Sequence, residues 1–435
     1  MAKELHELNE LEERVILVAV EMDERSSRSA MDTDACLDEL EELVKTAGGT
    51  AVARSVQKRE RIHPGHYLGT GKIEELKAML LAYDATGIVC DDELSPAQLR
   101  NLEQMLGTKV MDRTIVILDI FAARALSGEG KIQVELAQLK YRLSRLTGMG
   151  ASMSRLGGGI GTRGPGEKKL ETDRRYIKER IAELNKDAQE IRTHRELLRA
   201  QRSKKGTPVI SLVGYTNAGK STILNRLSDA GVLAEDKLFA TLDTTTRKIE
   251  LPGGSEVFLT DTVGFIQKLP HHLVEAFGST LEEAKYCDVI LHVVDASDEN
   301  WDKNIETVYG TLKQLKIDEN SGKPVITVFN KIDRISKDDL VGVRDLRADK
   351  TLYISAATGQ GLPELASAIE EILRNQKSYI RHTFAYSEAG LTGLIHKYGE
   401  IQTEEYLDDG IFIEAYVPKS ILGKLGLSFD DEADF

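Results

Sequence analysis

The segment Gly214-Tyr-Thr-Asn-Ala-Gly-Lys-Ser221 constrains this chain more than any other. It fits the spacing G-x-x-x-x-G-K-S. It follows the apolar run Pro208–Val213 and precedes a helical pattern of Ile223, Leu224 and Leu227. A strand, a glycine turn and a helix in that order aim backbone N–H groups and a helix dipole at one anion. The surrounding domain is therefore read as doubly wound α/β. Lys220 is expected to reach phosphate oxygens, and the Ser221 hydroxyl to bind Mg2+.

Further motifs follow in chain order, each at the end of a strand-like run. Val257–Thr260 leads into Asp261-Thr-Val-Gly264. A carboxylate there can hold the Mg2+ shell through water, and the Gly264 N–H can sense a γ-phosphate. Pro324–Phe329 leads into Asn330-Lys-Ile-Asp333. Asp333 can accept two hydrogen bonds from guanine, and adenine offers no such donor pair. The Lys331 stem can lie along the base. Ser355-Ala-Ala357 after Leu352–Ile354 reads as a loop closing over the guanine O6. In Leu238–Arg247, pattern alone does not choose the Mg2+ ligand among Thr241, Thr244, Thr245 and Thr246.

Two positions qualify the chemistry. Phe265 follows Gly264, where Ras-like GTPases place a glutamine that orients the attacking water. Phenylalanine cannot do so, and slow unaided hydrolysis is expected. Asn217 inside the loop has two readings: a ligand for a monovalent cation, K+, or a polar residue bonding its own backbone. Rates in potassium and sodium separate them.

The chain has 435 residues, enough for two or three domains. The first ~125 residues alternate strand-like and helix-like patterns. Val15–Val20, Thr50–Val56 and Gly87–Cys90 read as strands, Asp34–Lys45 and Ile73–Leu81 as helices. Ser95 reads as an N-cap before Pro96, and the apolar run Val116–Phe121 continues the alternation. Gln133–Leu146 and Glu167–Lys204 read as helices around Gly157–Gly166, which can hold neither helix nor strand. The second helix would extend roughly 57 Å. The expected architecture is α/β. An N-terminal α/β domain (1–128) precedes a long antiparallel helical hairpin with a Gly-rich tip (129–206). A doubly wound P-loop G domain (207–375) and a small α+β C-terminal domain with an acidic tail (376–435) follow.

The formal net charge of −14 argues against a nucleic-acid partner for the chain as a whole. Residues 131–205 reverse it locally, with 19 Lys+Arg against 9 Asp+Glu, a net +10. An asymmetry of this size points to an anionic partner for that region. No run approaches the ~18–20 apolar residues of a membrane span. The polar N-terminus lacks a signal-peptide pattern, and the three scattered cysteines form no metal or disulfide framework. A cytoplasmic monomer is expected, with peripheral membrane association as a further possibility for its location.

Several strings together resemble the HflX-family GTPases of the Obg–HflX group of translation factors, over nearly the full length. They are Tyr67–Lys72, Asp112–Ala122, Gln133–Leu143, Gly157–Glu167, Lys169–Arg175, Phe239–Asp243 with Thr245–Arg247, and the Phe after Asp261–Gly264. The resemblance implies that Thr241 is the Mg2+ ligand beside Ser221, with Asp261 acting through water. It implies Lys220, Thr241 and Gly264 as the catalytic set. GTP contacts are expected from Gly214, Tyr215, Thr216, Asn217, Ala218, Gly219, Lys220, Ser221 and Thr222, then from Phe239, Ala240, Thr241, Leu242 and Asp243. Asp261, Thr262, Val263, Gly264, Asn330, Lys331, Ile332, Asp333, Ser355, Ala356 and Ala357 complete that set. The resemblance also implies association with the large ribosomal subunit, as a splitting, rescue or assembly factor. Arg155, Arg163, Lys168 and Lys169 would then meet ribosomal RNA at the hairpin tip. The competing readings are an RNA-processing GTPase, which would need a second catalytic constellation, and a nucleotide-gated protein or membrane scaffold, which would need a large apolar patch.

Overall fold

The structure is a computed structural model. It describes residues 13–22, 32–146, 165–203, 207–228, 238–270, 273, 283–315, 317, 322–336, 338–340 and 342–427. For 165–170 and 198–203 the backbone alone is described. Most of the expected tip loop, including Arg155 and Arg163, and the acidic tail from 428 lie outside the described residues.

Strands β1 (Arg14–Met22), β2 (Thr50–Arg59), β3 (Gly87–Cys90) and β4 (Lys109–Asp112) form a parallel sheet in the order β2-β1-β3-β4. Val15, Leu17 and Ala19 face α1 (Thr33–Thr46) and α4 (Arg113–Arg124), while Ile16 and Val18 face α2 (Thr70–Ala82) and α3 (Pro96–Leu106). Burial on both faces explains why β1 reads as a continuous apolar run. Helix α3 begins with a capping box. Ser95 Oγ accepts from Gln98 N (3.2 Å), and Gln98 Oε1 accepts from Ser95 N (2.9 Å).

Val116–Phe121, which continues an alternating pattern in the sequence, is helical and belongs to α4; the strand is the tetrapeptide before it. Asp112 caps this helix by accepting from Ile115 N (3.1 Å). The helix packs against β4, α1 and α5 (Gly128–Leu146), and Phe121 meets Phe239 edge-on at 4.7 Å. With neighbours on several sides, its apolar residues surround the axis instead of forming one stripe. The buried Asp112 carboxylate also accepts from Tyr141 Oη and Arg145 Nη2, both at 2.7 Å, and so ties α5 to the N-terminal sheet.

Helix α5 pairs with α6 (Pro165–Ser203). Glu135 meets Arg180 (2.8 Å), and the earlier Glu129 meets the later Arg195, so the two helices run antiparallel. Along α6 Leu184 is buried, and the other described side chains face solvent wholly or in part.

The G domain carries β5 (Val209–Gly214), β6 (Thr245–Glu250), β7 (Glu256–Asp261), β8 (Val289–Asp295), β9 (Val325–Asn330) and β10 (Lys350–Tyr353). Their order is β10-β9-β8-β5-β7-β6, parallel except for β6 against β7. Helices α7 (Lys220–Ser228) and α9 (Leu362–Asn375) cover one face, and α8 (Trp301–Gln314) packs on the other. Strand order turns at β5, and ligands of doubly wound sheets bind beyond the strand ends at such a point. After α9, β11 (Lys377–Phe384), β12 (Glu400–Leu407) and β13 (Gly410–Pro418) form an antiparallel sheet in the order β11-β13-β12. Helix α10 (Ala389–Tyr398) packs on it through Ile395. Among the described residues no helix is long and apolar enough to cross a membrane.

Candidate nucleotide site

The loop after β5 is shaped by left-handed backbone at Asn217 (φ 60°) and Gly219 (φ 97°). A Cβ on Gly219 would collide with Asn330 Nδ2. That amide donates to Ala218 O (2.9 Å), and Asn330 Oδ1 accepts from Ala356 N (2.9 Å). Asn330 thus fixes the phosphate loop and the Ser355–Ala357 loop to each other. Lys220 is buried, with Nζ donating to Gly214 O (3.0 Å) and Tyr215 O (2.7 Å). Burial pushes its ammonium down to about 8, against the pull of Asp261. A Cβ on Gly264 would sit 2.8 Å from Thr216 Cγ2 and 3.2 Å from Lys220 Nζ, so only glycine lets that backbone approach the loop.

Three oxygens converge beside Lys220. Ser221 Oγ lies 2.8 Å from Thr241 Oγ1 and donates to Asp261 Oδ2 at 2.6 Å. Of the four threonines in Leu238–Arg247, Thr241 is the one beside Ser221, whereas Thr246 on β6 pairs with Thr260 (3.0 Å). Asp261 is fully buried. Burial raises its carboxyl above the usual range, and Lys220 and Ser221 pull it back. Its Oδ1 and the buried Thr216 Oγ1 have no hydrogen-bond partner among the described residues. Two hydroxyls and a carboxylate with a spare oxygen are a hard-oxygen set, which fits Mg2+.

On the base side, Asp333 lies in a 3-10 turn entered through Lys331 (φ 66°). Its Oδ1 accepts from Ser355 Oγ (2.5 Å), and Ser355 Oγ accepts from Thr358 N (3.1 Å). Lys331 pairs with Asp295 at 2.6 Å. Arg226 of α7 donates to the Ala356 and Ala357 carbonyls and braces the same loop.

Some expected residues turn elsewhere. The side chains of Phe239 and Leu242 are buried in the cluster that holds Leu17, Ile117 and Phe121 of the N-terminal domain. Asp243 accepts from Leu126 N (3.0 Å), Ser127 N (2.8 Å) and Ser127 Oγ at the start of α5. Phe265 is buried with Val213, Cys287 and Ile290, away from the phosphate loop, and holds that loop through its backbone: Thr216 N donates to Phe265 O (2.7 Å). Lys168 and Lys169 fall in the first turns of α6, where only backbone is described.

A second constellation joins the domains and was not foreseen from sequence. Tyr215 Oη in the phosphate loop donates to Glu39 of α1 and accepts from Gln267 N (2.9 Å). Glu39 meets Arg113 of α4, whose Nη1 donates to Asp91 at 2.8 Å. Lys268, four residues after Gly264, reaches Asp91 and Asp92, the latter at 2.7 Å. Burial disfavours the Arg113 and Lys268 charges, but the carboxylates overcome it and hold both pKa values above ordinary. Burial raises Glu39, opposed by Arg113 and Tyr215. No local sequence signal marks these residues: Glu39 sits in an acidic helix, Asp91 and Asp92 follow β3, and Lys268 lies in a turn.

A glycine loop between a strand and a helix, an Asn330–Asp333 segment tied to it and an oxygen cluster at the strand ends make the architecture of a P-loop GTPase. Family models agree: "GTP-binding GTPase N-terminal" matches residues 34–122, "GTP-binding GTPase Middle Region" matches 124–202, and "50S ribosome-binding GTPase" matches 209–331. The chain belongs to the HflX family of GTPases. It is 61% identical to the GTPase HflX of Lacrimispora saccharolytica, covering 99% of both chains. Identity to the Caldanaerobacter subterraneus protein of that name is 47%, over 97% of this chain and 95% of the other. Identity to the one from Escherichia coli is 41%, over 86% and 87%.

Proposed function

We propose that the protein is a slow GTPase that associates with the large ribosomal subunit through its helical hairpin. The observation that carries this is α6. It is a 39-residue helix whose described side chains, Leu184 apart, contribute little to any core, within a segment of net charge +10. A long helix held off the protein core and rich in cations suits a phosphate backbone. The description of the matching G-domain family, a 50S ribosome-binding GTPase, agrees with it.

Within the G domain, Lys220 and the loop amides from Gly214 to Ser221 bind the phosphates, and Asp333 with Ser355–Ala357 orients guanine. Ser221 and Thr241 would hold Mg2+ directly and Asp261 would hold it through water. The ion neutralises phosphate charge when bound. The slow rate follows from Phe265, because the side chain after Gly264 lies in the core and leaves the attacking water without an orienting amide there. The test is GTP turnover by the purified protein, alone and with large subunits, against K220A as the blank. Strong stimulation that disappears when Gly157–Gly166 is deleted supports the proposal. Unchanged turnover moves the partner to other RNA, protein or membrane.

A further inference from the structure

We propose that Asp243 is a positioning residue that couples the hairpin to the metal-binding oxygens. By accepting from the Leu126 and Ser127 N–H groups just ahead of α5, and from the Ser127 hydroxyl that caps that helix, it holds the Phe239–Asp243 strap where Thr241 meets Ser221. The proposal rests on the reading of Thr241 as an Mg2+ ligand.

Ser221 and Asp261 stand on a helix and a strand of the G-domain sheet, but Thr241 stands on the strap. The strap is held largely from outside the G domain. Phe239 and Leu242 are buried among N-terminal residues. Asp243 gathers three donors from Leu126 and Ser127, and Ser127 Oγ in turn accepts from Gly130 N (2.9 Å). A Cβ on residue 130 would strike Asp243 Oδ1, so the glycine admits the carboxylate to the helix end. The carboxylate also complements the positive end of the helix dipole. One residue, Leu242, lies between Thr241 and Asp243, a reach of about 7 Å. Along the same helix Val134, Ala137 and Tyr141 are packed into the N-terminal core. A load on the hairpin that tilts α5 is thereby delivered to Asp243 and, through a short strap, to Thr241. Coupling of this kind needs a contiguous physical element, and here one is present.

The experiment follows retention of a fluorescent non-hydrolysable GTP analogue on the full chain as Mg2+ is titrated, together with amide exchange at residues 126–131. Asp243→Ala is expected to raise the half-maximal Mg2+ concentration about five-fold, the factor that a typical net hydrogen-bond loss gives, and to speed exchange at 126–131. Asp243→Asn is expected to stay within about two-fold of wild type, because the asparagine Oδ1 still accepts from the Leu126 and Ser127 N–H groups. A wild-type Mg2+ requirement in D243A overturns the proposal. So does D243N failing as badly as D243A, which would assign the effect to charge instead of the backbone hydrogen bonds. Thr241→Ala separates the two layers. If it is silent in the same titration, the ligand reading falls and takes the proposal with it. If it is impaired while D243A is normal, the coupling alone is wrong.

Discussion

Replacing Arg113 by methionine tests the buried network that joins the N-terminal domain to the phosphate loop. The Arg113 side chain is 2% exposed, and its partners Asp91 and Glu39 are 2% and 10% exposed. Methionine keeps the aliphatic bulk and removes two charge-assisted hydrogen bonds, each of about 1.5–3 kcal/mol. Two carboxylates then stay buried, with Lys268 still beside Asp91 and Tyr215 beside Glu39. The expected destabilisation is about 3–5 kcal/mol, the usual cost of breaking a buried pair. Its pH dependence identifies the cause. Burial already holds Glu39 above its ordinary pKa, and losing Arg113 removes the main opposing influence. A carboxyl with a raised folded pKa stabilises the fold below its unfolded pKa and loses that contribution as pH rises through the folded value. The penalty is therefore expected to be smaller at about pH 5.5 than at about pH 7.5, because Glu39 resists ionisation further in the variant. Because several units of this chain can unfold separately, the readout is amide exchange of β1 and β3 instead of a single melting transition. A penalty below about 1 kcal/mol, or one equal at both pH values, refutes the reasoning.

Other substitutions probe the site. Asp333→Asn is expected to weaken GTP binding by about 2–3 kcal/mol and to favour a xanthine nucleotide, measured by competition, because the amide donates where the carboxylate accepts. Phe265→Gln is expected to destabilise the G domain without raising turnover, since the side chain at 265 points into the core. A rise in turnover would show that the side chain reaches the phosphates. Burial pushes the Cys36 thiol up to about 11 and Cys287 up to about 12, so native protein near pH 7.5 is expected to spare both from alkylation.

The nucleotide site was legible in the sequence because each part is local: a strand, a turn and the residues immediately after it. The phosphate loop, Asp261–Gly264 and Asn330–Asp333 need only their own neighbours to be recognised. The relation of Val116–Phe121 to the sheet was not, because an apolar run buried on several sides has no period that separates helix from strand. Spacing alone did not choose Thr241 among four threonines; the family resemblance did, and the fold brings residue 241 to residue 221. Asp243 was expected at the nucleotide, but its carboxylate binds the backbone just ahead of a helix that starts over a hundred residues earlier. The Glu39–Arg113–Asp91–Lys268 chain is likewise assembled from four distant segments, and no short motif encodes it.

The most direct test of the ribosomal reading is binding of the full protein to purified large subunits by sedimentation, loaded with a non-hydrolysable GTP analogue or with GDP, across a range of salt. The account predicts tighter binding with the analogue, a steep fall with salt as the cationic hairpin loses its phosphates, and loss of binding when Gly157–Gly166 is deleted. Binding that is equal with both nucleotides, indifferent to salt, or intact without the tip would contradict it.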